Sequence, residues 1–463
     1  MSELSPAVPG VAAAHPVTAE VGLRILREGG TAADAAVAAV LTCCVAETIY
    51  TGLGGGGFAT YFDASTGEVT CLDFFVSVPG TDGDRRAGPM VKVDVFFGGV
   101  PQVYEIGGAS VAVPGVPAGC GEVHRRWGRL PWASVVAPAI ALARTGVVLP
   151  AAQARTLVSC EPALAYGEGA AYYTPNGKLL EGGDLLFHPG LATALEGLAD
   201  EGPAAFYTGA FARTTVDAVR AAGGALGPRD LASYRVRETS VDHATLNGYR
   251  VRARHDLSRT VDTIAALPAR VTPVALASAL RDQGRQKIGD TTNVSVVDAE
   301  GNACVITTTL GLGAAVWLPG LGVNLNSMLG EGELITADLA PGRRMSSNMC
   351  PLVVIDDQDR LIVAAGSAGA SRIRTALIDT LLGVLVDGLD LASAIDRPRF
   401  HVVDNTVHAE PGVGDADLSA LADAGWTINR WSEMNHYFGG VTAVGAGGAA
   451  GDPRRGGVGL LLS

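Results

Sequence analysis

No stretch of this 463-residue chain is long, apolar and uncharged enough to cross a bilayer, and Met1 to Val11 carry neither the positive region nor the apolar run of an export signal. The sequence therefore reads as a cytoplasmic protein with no membrane partner. Positive charge is scarce: 34 Lys and Arg face 47 Asp and Glu, a net charge of −13, which argues against a nucleic-acid partner. Cys43, Cys44, Cys71, Cys120, Cys160, Cys304 and Cys350 are odd in number and lack CxxC spacing or neighbouring His ligands, which points to reduced thiols and no structural metal. Glycine is abundant at 61 residues, about twice the ordinary share, but it follows no fixed period and lies among apolar segments, so disorder and collagen are excluded.

Apolar residues recur at three- and four-residue spacing over Pro16 to Leu26 and Ala32 to Glu47, which predicts helices. Phe58 to Phe62 and Val69 to Phe74 read as paired strands joined by a hairpin loop over Asp63 to Glu68. Helical pattern returns in Trp132 to Thr145, Leu191 to Ala199 and Phe211 to Ala222, the last stopped by Gly223-Gly224. A boundary is expected between His255 and Gly289, where Arg, Pro, Asp and Gln interrupt the pattern, and strands resume after Thr291. Length alone suggests two or three domains, but one layered body cut into two chains accounts for it as well and is the preferred reading.

The chemistry is concentrated at Gly289-Asp290-Thr291-Thr292-Asn293-Val294-Ser295-Val296-Val297-Asp298, where two threonines open a β-branched run that must be a buried strand. If the Asp290–Thr291 bond breaks, Thr291 gains a free α-amine, pKa about 8, beside its own hydroxyl, so one residue supplies nucleophile and base. A Thr-Thr pair at a strand start is also an ordinary solvated turn. Downstream, Cys304 to Leu310 reads as a second β-branched strand, and Gly366-Ser367-Ala368-Gly369-Ala370-Ser371-Arg372 joins a strand over Leu361 to Ala365 to an apolar helix over Ile373 to Val386. Amides at such a helix start can form an oxyanion hole, and a tight turn capped by Ser371 is compatible with that role.

Several stretches occur in a fixed order: His15-Pro16-Val17-Thr18-Ala19, Gly29 to Ala38, Thr51-Gly52-Leu53-Gly54-Gly55-Gly56-Gly57-Phe58, Ser110 to Gly119, Gly128 to Trp132, the nucleophile segment, Arg344-Met345-Ser346-Ser347, Gly366 to Arg372, Arg397 to His401 and Tyr437 to Val441. Together they resemble the γ-glutamyltransferase (γ-glutamyltranspeptidase) family of self-cleaving N-terminal-nucleophile hydrolases over most of the chain. The resemblance implies an α+β fold, a four-layer αββα sandwich of two antiparallel sheets with helices on both outer sides. It implies cleavage between Asp290 and Thr291 into a large chain, 1–290, and a small chain, 291–463, that stay together as a heterodimer and can pair into a dimer of heterodimers. It also implies that Thr309, 18 residues after Thr291, orients the nucleophile, that the amides of Gly369 and Ala370 form the oxyanion hole, and that Ser346 and Ser347 bind a substrate carboxylate. No metal or organic cofactor is called for.

The chain departs from that family where substrate is gripped. The family's arginine in a Leu-Asp-Phe-Arg-Glu stretch is Phe75 in Leu72-Asp73-Phe74-Phe75-Val76, the asparagine two residues past the second threonine is Gly311, and the acidic residues that hold the amine match Met328-Leu329-Gly330, with Glu331 as a stand-in. Losing one charged partner of a buried pair costs about 2 to 5 kcal/mol, so a γ-glutamyl substrate is not expected. Asn293 stands where the family has histidine, a change that could alter pH dependence or the fit of the leaving group, and the family's Pro-Ser-Gly-Gly region is missing between Arg250 and Asp290. His15, His401 and His436 read as structural. Arg372, Arg454 and Arg455 are candidates for carboxylate handling, although surface or turn pairing is the expected fate of Asp452-Pro453-Arg454-Arg455-Gly456.

A shortened homologue without the glutamate grip resembles the actinobacterial branch associated with 4-alkyl-proline antibiotic biosynthesis, whose reaction is hydrolysis of a carbon–carbon bond in a small molecule. The alternatives are hydrolysis of another small amide, ordinary γ-glutamyl transfer or hydrolysis, and an inactive binding homologue.

Overall fold

The run that follows Asp290 forms the strand Thr292–Val297, and it lies within a seven-stranded sheet. In this computed structural model, residues 4–97, 100–255, 257–281, 290–335 and 338–463 are described. The sheet order is Val458–Leu461, Gly10–Ala13, Thr292–Val297, Ala303–Thr309, Gly56–Asp63, Glu68–Phe74 and Arg237–Thr239, antiparallel throughout. A second antiparallel sheet of six strands runs Gly448–Gly451, Gly440–Gly445, Leu361–Ala368, Leu352–Ile355, Tyr249–Arg254 and Val241–Leu246.

Strand alternation builds the layers. Val294 and Val296 belong to the cluster that includes the outer helix Ala32–Ala46, and Thr292 Oγ1 donates to Glu47 at that helix's C-cap, 2.5 Å away. Asn293 and Ser295 face the other way and bond Thr442 of the second sheet. Between the sheets Ala12, Phe62, Val297 and Val305 pack with Val353, Ala364 and Val444. Helices Pro16–Arg27 and Ala32–Ala46 cover the first sheet, and Arg372–Leu385 and Leu391–Asp396 cover the second, which gives the αββα sandwich.

The helix Ala32–Ala46 is buried along its whole length, because small side chains let it pack on every face. Its start is fixed by a capping box in which Thr31 Oγ1 accepts the Asp34 amide and Asp34 Oδ2 accepts the Thr31 amide. The expected hairpin is present, with Asp63 opposite Glu68, and so are helices Trp132–Thr145 and Leu191–Glu201. The helix expected from Phe211 begins earlier, at Gly209. Strands do not wait for Thr291: the hairpins Val91–Phe97 with Val100–Ile106 and Val241–Leu246 with Tyr249–Arg254 precede it. In the expected boundary region the chain forms helices Thr260–Ala265 and Pro273–Leu280, while residues 256 and 282–289 lie outside the described residues.

Candidate active site

The register that pairs Thr292 with Thr308, extended by one residue, sets Thr291 opposite Thr309. Asp290 is fully buried and Thr291 is 4% exposed, so the bond between them lies inside the sandwich. Thr309 Oγ1 donates to the carbonyl oxygen of Asp290, and the Gly311 amide donates to Thr309 Oγ1 at 2.9 Å. That amide occupies an acceptor site of the hydroxyl and leaves its proton for the Asp290 carbonyl. The Asp290 carboxylate in turn accepts the Thr291 amide at 3.0 Å and pairs with Arg455 Nη1.

Full burial pushes the Asp290 carboxyl above its ordinary range, while Arg455 and the Thr291 amide oppose the shift. Burial also works against the Arg455 charge, yet Asp290 and Tyr50 leave the guanidinium's pKa raised. The first shift favours a neutral carboxyl and the second a charged guanidinium. Because a guanidinium does not deprotonate near neutrality and is costly to bury without a counter-charge, the pair stands ionised.

The strand Leu361–Ala368 runs past Gly366 and Ser367, which pair with Thr442 and Val441, so the turn is three residues later than expected. Gly369 (φ 115°) and Ala370 (φ 50°) make that turn before the helix Arg372–Leu385. A Cβ on Gly369 would stand 2.9 Å from Gly439 Cα, which demands glycine there, and Ala370 holds a left-handed conformation that a residue with a side chain seldom adopts. Ser371 occupies the cap position, but its hydroxyl caps no amide. The turn adjoins the scissile residue through one side chain: Arg455 Nη2 lies 3.6 Å from the Cβ position of Gly369.

Phe75 is fully buried, stacked on Phe58 at 5.5 Å, in one cluster with Leu329, Met328, Met345 and Met349. Arg254 lies over the Phe58 ring at 3.6 Å. Gly311 has φ 70°, and a Cβ there would meet Glu331 Oε1 at 2.3 Å and Ser327 Oγ at 2.7 Å, so the buried Glu331 carboxylate fills the space beside it. Ser346 is half-buried; Ser347 is buried and accepts the Met349 amide at 3.2 Å. Asn293 ties the sheets together through Thr442, Ser295 and Thr307, and a swapped amide orientation serves the same partners.

The profile of the gamma-glutamyltranspeptidase family matches residues 18–268 and 257–461, nearly the whole chain. The chain belongs to that family. Glutathione hydrolase proenzyme of Bacillus subtilis (strain 168) is 26% identical over 515 residues, covering 93% of this chain and 85% of that protein. Acylase ACY 1 proenzyme of Pseudomonas sp. (strain SE83) is 28% identical over 503 residues, covering 93% and 88%. Among solved structures, cephalosporin acylase from Bacillus halodurans superposes with a TM-score of 0.80 at 20% identity over 99% of this chain and 97% of that one. LmbA2991HD gives 0.79 at 20% over 99% of both. The protein is thus an enzyme of the N-terminal-nucleophile hydrolase type.

Of two further residues at this gamma-glutamyltranspeptidase-family site, one gives no signal in the sequence and the other, a candidate for carboxylate handling, lies in different surroundings than expected. Glu47, fully buried, accepts the hydroxyls of Thr18 at 2.9 Å and Thr292, fixing the strand start beside Thr291. Arg455 is the other, and here the expected surface pairing is corrected. Asp452, Arg454 and Arg455 are all at most 2% exposed: Arg454 pairs with Asp452 at 3.1 Å and Glu410 at 2.5 Å, and Arg455 points inward to Asp290. Arg372 donates Nε to the Tyr437 carbonyl at 2.9 Å. His15 caps its helix by accepting the Val17 amide at 3.1 Å, and His401 meets Thr375 at 2.8 Å, as structural residues do. Among the described residues no helix is long and apolar enough to cross a membrane.

Proposed function

We propose that the protein is a proenzyme that splits itself between Asp290 and Thr291 and then hydrolyses a small molecule with Thr291 as N-terminal nucleophile. The observation that carries this reading is the Thr309 hydroxyl donating to the Asp290 carbonyl, the carbonyl that Thr291 must attack. Thr291 Oγ bonds to the Asp290 carbonyl carbon, the C–N bond breaks, and the hydroxyl proton passes to the departing nitrogen. Water then hydrolyses the ester, which returns the hydroxyl and leaves a carboxylate on Asp290. Chains 1–290 and 291–463 remain one heterodimeric body, because both sheets contain strands of each chain, which pair directly at Gly10–Ala13, between Ala303–Thr309 and Gly56–Asp63, and between Leu352–Ile355 and Tyr249–Arg254.

In turnover the α-amine of Thr291 takes the hydroxyl proton, Oγ attacks the substrate carbonyl, and the amides of Gly369 and Ala370 receive the oxyanion, each worth on the order of 3 kcal/mol of barrier. Water resolves the acyl-enzyme. Phe75, stacked on Phe58, puts an aromatic ring at the position from which the family's arginine grips a glutamyl carboxylate, and Glu331 crowds Gly311 where the family has asparagine. These features support a substrate other than a γ-glutamyl compound. The favoured reading is a carbon–carbon or acyl bond in a 4-alkyl-proline type intermediate of antibiotic biosynthesis; amide hydrolysis, the reaction that the acylase relative's name suggests, is the second.

Intact-mass analysis tests the core of this. Wild type should resolve into two chains summing to 47.2 kDa plus one water, and Thr291→Ala should stay whole. An unsplit wild type would refute the proposal. Robust turnover of a γ-glutamyl anilide would refute its account of substrate.

A further inference from the structure

Asp290 is both the residue to be cleaved and an acyl group bearing an anion, since its side-chain carboxyl carbon is three bonds from the scissile carbonyl carbon. Arg455 holds that anion from a position against the Gly369 turn. Two neighbouring buried arginines are committed to carboxylates that cleavage leaves within the fold, Arg454 to Glu410 and Asp452, and Arg399 to Asp452 at 2.7 Å, and the half-buried Arg344 to Asp73 at 3.3 Å. Arg455 differs. Among the described residues its one carboxylate contact is the residue that cleavage converts into a chain end, and its Nε meets no acceptor. The remaining contacts of its guanidinium are the His436 carbonyl at 3.3 Å and the Tyr50 ring at 5.2 Å, neither of which carries charge to neutralise it.

The geometry points to Arg455 as an anion anchor used twice, first for the Asp290 carboxylate in the precursor and then, in the mature enzyme, for a carboxylate on the acyl side of the substrate. This rests on Thr291 being the nucleophile. The same hydroxyl attacks both carbonyls, so the residue that occupies the acyl position before cleavage is a template for the group that occupies it afterwards. The template specifies a succinyl-like acyl group, with its carboxylate three bonds from the reacting carbonyl. That is one bond nearer than the α-carboxylate of a γ-glutamyl group, and it uses a cation on the small chain in place of the position that Phe75 fills. The packed cluster around Phe75 and an anionic acyl group are then compatible, because the charge is met elsewhere.

Two measurements test the assignment. In the precursor, Arg455→Met should slow splitting by about 100-fold, the scale of losing one partner of a buried charge pair. The double variant Asp290→Asn with Arg455→Met should split at least ~10-fold faster than the single one, because no carboxylate is left without a counter-charge; a merely structural arginine would leave the two equally slow. In the mature enzyme, calorimetric titration with succinamate and with its neutral isostere butyramide should show succinamate at least ~10-fold tighter, and the split double variant should lose that preference. Equal affinity, or binding of neither, in a wild type that does split overturns the anchor alone. A wild type that stays at 47.2 kDa overturns the nucleophile reading and the anchor with it.

Discussion

The Thr309 hydroxyl donates to the carbonyl oxygen of Asp290 and is itself held by the Gly311 amide at 2.9 Å, so the group that polarises the scissile bond is aimed before any bond breaks. Removing one such donor from a developing oxyanion costs about 10²- to 10³-fold in rate. Thr309→Ala should slow self-cleavage by that factor in an intact-mass time course, whereas Thr309→Ser, which keeps the hydroxyl, should stay within about tenfold of wild type. Equal rates for Thr309→Ala and wild type would remove Thr309 from the reaction.

Phe75→Arg restores the residue type that the family uses, but not its surroundings. Phe75 is fully buried against Phe58, and Arg344 already donates to its carbonyl while Arg254 sits over Phe58. A third guanidinium would be buried among apolar side chains and two like charges. Urea unfolding should show a loss of about 3 to 5 kcal/mol, with no gain of γ-glutamyl anilide turnover.

Local pattern made single elements legible, the alanine-rich helix Ala32–Ala46, the hairpin around Asp63 and the β-branched strand after Thr291, while their stacking into a sandwich was implied by the family resemblance. The site was legible only where it is contiguous. Thr291 and Thr309 are 18 residues apart, a spacing the family resemblance ties together, but Arg455 and Asp290 are 165 residues apart, and their pairing depends on how the sheets stack. Asp452-Pro453-Arg454-Arg455 reads as a solvated turn because charged residues usually are. Only the carboxylates of Glu410, Asp452 and Asp290, brought in from distant segments, make its burial tolerable. The late turn at Gly369 was missed for a similar reason: Gly366 is glycine because Asn293 of the facing sheet crowds it, a Cβ there coming within 2.0 Å of Asn293 Oδ1, and not because the chain bends.

Gly311 is constrained twice, by φ 70° and by Glu331 Oε1 only 2.3 Å from where a Cβ would stand. Gly311→Ala should therefore cost about 1 to 3 kcal/mol in urea unfolding. Adding Glu331→Gln should recover little, since the amide fills the same space, whereas Glu331→Ala should recover the part due to Glu331 and leave the Ser327 Oγ contact and the backbone part of about 1 kcal/mol. Full recovery in the Gly311→Ala, Glu331→Ala pair would show that the backbone conformation carries no cost.

Acid should unfold the protein through its buried histidines. Burial pushes His188 down to about 3, and burial reinforced by Arg455 and Arg372 pushes His436 down to about 3, from an ordinary 6.5. Each folded value lies below the unfolded one, so the stability from keeping these rings neutral is complete above pH 6.5. It is lost as pH falls from 6.5 towards 3, because the unfolded chain binds protons that the folded chain refuses. Each ring contributes a slope approaching ~1.4 kcal/mol per pH unit, so the two together should cost about 3 kcal/mol between pH 6.5 and 5. Urea midpoints across that range give the slope. His188→Gln retains reach to Thr48, which His188 meets at 2.8 Å, but cannot titrate, so it should remove one ring's share of the slope, up to ~1.4 kcal/mol per pH unit; an unchanged slope would mean that His188 is protonated in the folded state.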